Sequence, residues 1–505
     1  MEETGLVRPE LVFGLVGAVG SDLELVERAL RDSLRTVGYE THLVRLSELV
    51  KPFAEGLALP DEPEEERLAA YMTAGDNLRE KTKRGDALAV LAMGNIRKLR
   101  RDRHGEPSRP LSRCAYILRS LKHDAEVDRL RLTYGPGFLL VGAYAPYQMR
   151  CDRLARTIAR SHHSEDAETF RAKAEDLIQR DQFEPSNEHG QRVRETFHKA
   201  DVFIDLRNEQ CARDAIKRFI ELLFRHPNHT PSRHEYAMFH ACATALRSGS
   251  LARQVGAAIA TRDGEIIALG TNDVPRPGGG LYWSDDGSLD KRDFQLGYDC
   301  NAKMKIDAVR EVLSALGKEG WFNWELGPRG EPAAERLTEA CSILKDTRIM
   351  NLTEFGREVH AEMAALLDAA KRGVSVRDAM LYCTTFPCHN CAKHIVAAGI
   401  REVHYIEPYP KSVAPELYED SIAVDEEPAN GRIPFKPFVG VGSRRYMDLF
   451  AMVNSEGWVV ERKDEFGKIV LWDQDNAYPR LPMWDRSYLE REALVIESFE
   501  KAVGE

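Results

Sequence analysis

Short apolar blocks recur along the first 230 residues, separated by longer stretches with helical spacing. Leu11-Val12-Phe13-Gly14-Leu15-Val16 is a continuous block, as expected of a strand buried on both faces. Gly17-Ala18-Val19-Gly20-Ser21 turns the chain into a helix predicted over Leu23–Leu34, where apolar residues return at intervals of three and four. Further blocks lie at Thr41–Leu46, Ala87–Met93, Cys114–Leu118, Phe138–Gly142 and Val202–Asp205. Strand-like blocks alternating with helical stretches predict an α/β class, with a parallel sheet between two helix layers.

The polar, proline-broken stretch His226–Arg233 reads as a joint and divides the chain into 1–228 and 229–505. Past it, a helix is expected over Glu235–Leu246. A hairpin follows, with Val255–Ala260 and Glu265–Gly270 joined at Arg262-Asp263-Gly264. Residues 274–358 form a glycine- and charge-rich excursion with some helix near Lys305–Leu316. Strands are expected at Ala379–Thr384 and Val403–Ile406, while the tail beyond about 460 has no assigned role.

With 505 residues the chain exceeds one ordinary core, and 43% hydrophobic with 30% charged residues is usual for a soluble protein. No apolar run reaches the length of about 18 residues needed to span a membrane, and the acidic start lacks a signal-peptide core, so a cytoplasmic protein is expected. A net charge of −11 favours small nucleotides over polynucleotides as partners. Nine cysteines, an odd number, suit reduced thiols and metal ligands better than a disulfide framework.

The candidate chemistry is concentrated in His360-Ala361-Glu362 and Pro387-Cys388-His389-Asn390-Cys391. One imidazole and two thiolates can hold zinc with one position open, and Glu362 stands beside them as a proton carrier. Pro387 suits the first turn of a helix on which Cys388 and Cys391 share a face. A structural zinc is the competing reading, and a fourth protein ligand would favour it by closing the site. Cys383, His389 and His394 are near enough to be considered and read as packing or supporting residues.

The H-x-E…P-C-x-x-C pattern, with Ser250–Ala257, Gly270-Thr271-Asn272 and Gly399–Tyr405, resembles the cytidine and deoxycytidylate deaminase superfamily. The resemblance implies an α/β/α deaminase fold for 229–505 and a hydrolase that removes the amino group of cytosine, with zinc as cofactor. It implies Glu362 as the proton shuttle and Asn272 as a partner of the sugar hydroxyl. Arg253, Tyr409 and Lys411 would lie near the phosphates, although solvated surface charge explains Arg253 and Lys411 equally well. It also implies a homo-oligomer, with the hexamer a common form. The chain departs from the family in one respect: 87 residues separate Asn272 from His360. Such an insert reshapes the base pocket, binds an effector or contacts a neighbouring subunit.

In the N-terminal region, Gly14, Gly17, Gly20 and Ser21 are candidate nucleotide-binding positions, because a glycine-rich turn between strand and helix lets backbone N–H groups reach phosphates. The loop lacks the Gly-Lys-Ser/Thr ending of a P-loop, and Asp22 would repel a phosphate; a tight βα turn is the alternative. Gly137–Pro146, with Arg150, Arg153 and Arg156, resembles the late strand and arginine-bearing helix of nucleoside and nucleotide kinases. This implies a kinase-like P-loop domain with degraded catalytic parts, which binds ATP or a deoxynucleotide to sense or gate. The two halves together resemble bacterial anti-phage dCTP deaminases. That implies deamination of dCTP and dCMP in antiviral defence, restrained by a regulatory RNA or other inhibitor. The alternative is a housekeeping dCMP deaminase feeding thymidylate synthesis. The acidic charge argues against a polynucleotide deaminase, and an intact Glu362 argues against a sensor without turnover.

Overall fold

The computed structural model describes residues 8–54, 56–182, 192–321, 332–345, 347–409, 411–424, 431–453, 459–481 and 487–504. Its contacts divide the chain into two units, one of Met1–Glu235 with Pro437–Glu505 and one of Tyr236–Lys436. Among the described residues, no helix is long and apolar enough to cross a membrane.

The first unit is built on β1 (Leu11–Val16), β2 (Glu40–Arg45), β3 (Cys114–Arg119), β4 (Phe138–Tyr144) and β5 (Val202–Asp205). These strands are parallel and ordered β2-β3-β1-β4-β5, with β1 at the centre. Leu11, Phe13 and Leu15 share a core with the helices Leu23–Thr36 and Glu209–Leu223. Val12 and Val16 are equally buried, as both-face coverage of the central strand requires. The apolar block Ala87–Met93, grouped above with the strands, is instead the start of a helix, Ala87–His104. Periodicity cannot separate a buried helix turn from a strand in so short a run, and its alanines and leucines are good helix formers.

The second unit holds β6 (Gly256–Ala260), β7 (Ile266–Thr271), β8 (Met380–Thr385), β9 (Glu402–Glu407), β10 (Ile422–Val424) and β11 (Ile433–Pro437), ordered β10-β11-β9-β8-β6-β7. β6 runs antiparallel to β7 and β8, whereas β8–β9 and β10–β11 are parallel pairs. The 274–358 segment contributes the helices Cys300–Lys318 and Ala334–Ile343.

The division differs from the sequence reading at the C-terminus, which had assigned 229–505 to one domain. β12 (Gly440–Val441) pairs antiparallel with β5, so the tail completes the first sheet. The indole N–H of Trp472 donates to the Phe224 carbonyl at 3.0 Å, and the helix Ser487–Gly504 also belongs to this unit. A return across several hundred residues leaves no local signature in the chain.

Gly270 sets how closely the helix Ala361–Lys371 approaches β7. A Cβ there would stand 2.1 Å from the Ala361 carbonyl oxygen and 2.3 Å from the Ala365 nitrogen, both backbone atoms that cannot rotate away. Gly270→Ala is therefore expected to lift this helix and to cost about 1–3 kcal/mol through overpacking. A lowered thermal midpoint, with weakened zinc retention, is the measurement that checks it.

Candidate active site

Two helix N-termini meet at the site. His360 is the N-cap of Ala361–Lys371, and Cys388 is the N-cap of His389–Ala397, which follows β8. Pro387 therefore precedes the cap and does not lie in the first helical turn as expected; the extended backbone of Cys388 delays the helix by one residue. The partial positive charge of a helix start favours thiolate at Cys388, while Cys391 without a metal keeps its proton, its pKa raised by the hydrogen bond to Cys388 and by burial.

His360 Nδ1 lies 3.3 Å from Cys388 Sγ and 3.4 Å from Cys391 Sγ. Zinc bonds of about 2.0–2.1 Å to nitrogen and about 2.3 Å to sulfur imply a tetrahedral N···S edge of about 3.5 Å. The three ligand atoms lie within 4.8 Å of one another, so the donor set and its spacing fit zinc. The hydrogen bond from Cys391 and the facing His360 draw the Cys388 thiol down to about 4, while the hydrogen bond to Cys388 pushes His360 up to about 9. The three groups share protons that a metal would displace.

Among the described residues, no fourth His, Cys, Asp or Glu joins this cluster. His389 Nε2 lies 3.2 Å from Glu354, and His394 is exposed. Cys383 is buried beside Glu362, and burial with the Glu362 charge pushes its thiol well up, so it is a hydrogen-bond neighbour of the carboxyl group. Glu362 is 4% exposed, and burial followed by the Cys388 thiolate raises its pKa above the ordinary carboxylate range. A carboxyl group in that setting is suited to receiving and releasing a proton.

A cavity of about 190 Å³ opens beside His360, Glu362 and Cys388, and Arg253, Asn272 and Tyr409 also line it. Asn272 is tied down: its Oδ1 accepts the Val255 N–H at 2.7 Å, and its amide donates to Arg253 O at 2.9 Å and Glu358 Oε2 at 3.2 Å. Arg253 pairs with Glu407 at 3.1 Å and lies over the Tyr409 ring. Lys411 is exposed and does not line the cavity, and Pro410 lies outside the described residues.

Sequence reasoning did not single out the wall supplied by the insert. Asp293, Asp299, Asn301, Arg357 and Glu358 all line the cavity. Of the roles open to residues 274–358, reshaping the pocket is therefore one the geometry supports. Glu358 carried no mark in the sequence; the structure places it. Val359 bridges to Asp273 in extended conformation, so alternate residues 358 and 360 share a face.

In the first unit, Gly17, Gly20 and Ser21 border a second cavity of about 570 Å³ at the carboxyl end of β1. In an open α/β sheet this edge is where ligands bind. Gly20 has φ +86°, and a Cβ there would meet the Arg150 carbonyl oxygen at 2.5 Å. Gly14 does not belong to this loop. It lies inside β1, where a Cβ would stand 2.6 Å from Leu121 and 2.9 Å from Phe138, so packing explains that glycine. Asp22 accepts the Leu25 N–H at 3.0 Å as the helix cap and pairs with Arg153, which neutralises the charge expected to repel a phosphate. Arg150 turns back to Ala145 O at 3.1 Å, and Arg156 to Asp152 O at 2.9 Å.

Residues 231–407 match the family described as the cytidine and deoxycytidylate deaminase zinc-binding region. ComE operon protein 2 of Bacillus subtilis (strain 168) is 44% identical over 84 residues, 16% of this chain and 41% of that protein. Deoxycytidylate deaminase of Enterobacteria phage T2 is 46% identical over 55 residues, 11% of this chain and 29% of that protein. The Pongo abelii deoxycytidylate deaminase is 25% identical over 213 residues, 42% of this chain and 79% of that protein. The chain thus spans less than half the length of the first two of these relatives. A deaminase-family domain with a zinc-binding region lies in the C-terminal part of the chain.

Proposed function

From a chain that carries a deaminase-family zinc-binding domain, we propose a zinc-dependent hydrolase that converts deoxycytidine nucleotides, dCTP and also dCMP, to deoxyuridine nucleotides. The observation that carries this reading is the three-ligand cluster of His360, Cys388 and Cys391 with the buried Glu362 at its side. When bound, zinc supplies the Lewis acidity that activates water at neutral pH. His360, Cys388 and Cys391 would hold the ion. Glu362 takes one proton of the attacking water and delivers it to ring N3; it then takes the remaining proton of the added hydroxyl and passes it to the amine, which leaves as ammonia as the C4–N bond breaks and the C4 carbonyl forms. Asn272 and Glu358 face the sugar, and Asn272 reads its hydroxyl. Arg253 and Tyr409 are placed to meet the phosphates, while the insert's wall carries Asp299 and Glu358 together with an Asp293–Arg357 ion pair.

The kinase-like reading of the first unit, with Gly17, Gly20 and Ser21 receiving ATP or a deoxynucleotide, is supported by the cavity at the carboxyl edge of β1. Such a unit gives the enzyme a gate. The resemblance to anti-phage dCTP deaminases supports a cytoplasmic homo-oligomer that depletes dCTP during infection, held back beforehand by a regulatory RNA or other partner. A housekeeping dCMP deaminase is the second reading, favoured by the deoxycytidylate deaminases among the relatives.

Mass spectrometry of dCTP, dCMP, CTP and a cytosine oligonucleotide after incubation with zinc-loaded protein separates these readings. The expected result is conversion of dCTP and dCMP, with CTP and the oligonucleotide unchanged. Conversion of dCMP alone would favour the housekeeping reading, and preference for the oligonucleotide would overturn both.

A further inference from the structure

The loop after β1 lacks a lysine of its own, and the fold brings one to it. Lys122, which follows β3, lines the 570 Å³ cavity with Nζ 3.2 Å from the Gly17 carbonyl oxygen. Its charge is met by Asp181, wholly buried on the helix Arg171–Gln182, whose Oδ1 lies 2.6 Å from Nζ. Asp181 Oδ2 accepts the Val19 N–H at 2.7 Å. One carboxylate therefore performs two tasks of phosphate oxygens in a glycine-rich loop: it takes a backbone N–H and it neutralises a lysine. Ser21 Oγ is buried in the same loop with no hydrogen-bond partner among the described residues, so it remains available to an anion.

We propose that Lys122 is the phosphate-binding cation of this loop and that Asp181 is its built-in occupant, so that the polyphosphate of a nucleotide binds by displacing the Asp181 carboxylate. This rests on the reading that the N-terminal unit binds a nucleotide. A site filled from within binds its ligand with the intrinsic dissociation constant divided by the fraction of molecules in which it stands open, and so more weakly. Asp181 thereby sets a threshold: the loop fills at high nucleotide concentration, or when the helix carrying Asp181 moves.

The test is calorimetric titration of the full-length, zinc-loaded protein with inorganic tripolyphosphate and with ATP. Asp181→Asn keeps an oxygen to accept the Val19 N–H but removes the charge. It is expected to tighten tripolyphosphate binding by about tenfold or more. Lys122→Met is expected to abolish binding, both alone and combined with Asp181→Asn. Equal affinity of the native protein and Asp181→Asn overturns the displacement, and undiminished binding by Lys122→Met overturns the role of the lysine; nucleotide binding by the unit survives both results. If no variant binds either probe, the nucleotide reading and this proposal fall together. Asp181→Ser, with its thermal midpoint recorded in parallel, gives a second uncharged substitution should the asparagine variant fail to fold.

Discussion

Glu362→Gln is expected to retain zinc at native stoichiometry and to lose deamination by about 10³-fold or more. The substitution keeps the size of the side chain, and none of the three metal ligands is touched, so the site should remain assembled. It removes the buried carboxyl group that stands beside the metal ligands and is placed to accept a proton and release it again. At 4% exposure the carboxyl group is held in place beside the cavity rather than free in bulk solvent. The neighbouring Cys383 is no substitute, since burial, the larger cause of its raised pKa, remains in the variant and disfavours the thiolate. Metal content by elemental analysis, alongside turnover by mass spectrometry, checks both halves of the prediction. Zinc retained with turnover intact would remove Glu362 from the mechanism. Zinc lost would show that the carboxyl group helps to hold the metal.

The second large effect is expected far from the cluster. Arg100 is wholly buried in the first unit, with Nε 3.1 Å and Nη2 2.9 Å from the two oxygens of Glu10. Nη2 also lies 3.1 Å from Glu492, on the C-terminal helix Ser487–Gly504. Glu10 accepts further hydrogen bonds from Tyr116 at 2.7 Å, the Leu111 N–H at 2.8 Å and Tyr488 at 3.0 Å. Burial raises the pKa of Glu492 even with Arg100 beside it. Arg100→Met would leave two buried carboxyl groups without a cation, at a cost of about 3–5 kcal/mol. Because Glu492 holds the terminal helix, that helix should become sensitive to protease before the rest of the unit does. Replacing all three residues together, as Glu10→Gln, Arg100→Met and Glu492→Leu, should recover most of the loss, because no buried charge then remains. Urea denaturation and limited proteolysis of the three proteins decide the matter. An unchanged midpoint for Arg100→Met would mean that apolar packing alone docks the helix.

The metal cluster was legible because its determinants are local. The H-x-E and C-x-x-C donors sit at two helix starts, and among the described residues no fourth ligand joins them. The loop after β1 was half legible. Its glycines announced a turn with positive φ at Gly20, but Gly14 carried no mark that distinguished a strand glycine under Leu121 from a phosphate-loop glycine. Ala87–Met93 was misread because a run of seven apolar residues satisfies a strand and a buried helix alike.

The sequence by itself determined the chemistry available to this protein: one imidazole, two thiolates and a carboxyl group at helix-cap spacing, and a central strand apolar enough to be covered on both faces. The tertiary structure alone decided which distant residues complete each site. It placed Glu358 against Asn272, Lys122 and Asp181 against the glycine loop, and the C-terminal tail against the first sheet. Periodicity and caps are written in bonds within a few residues of one another. Pairings over tens or hundreds of residues arise from the packing of whole elements, and no local pattern records them.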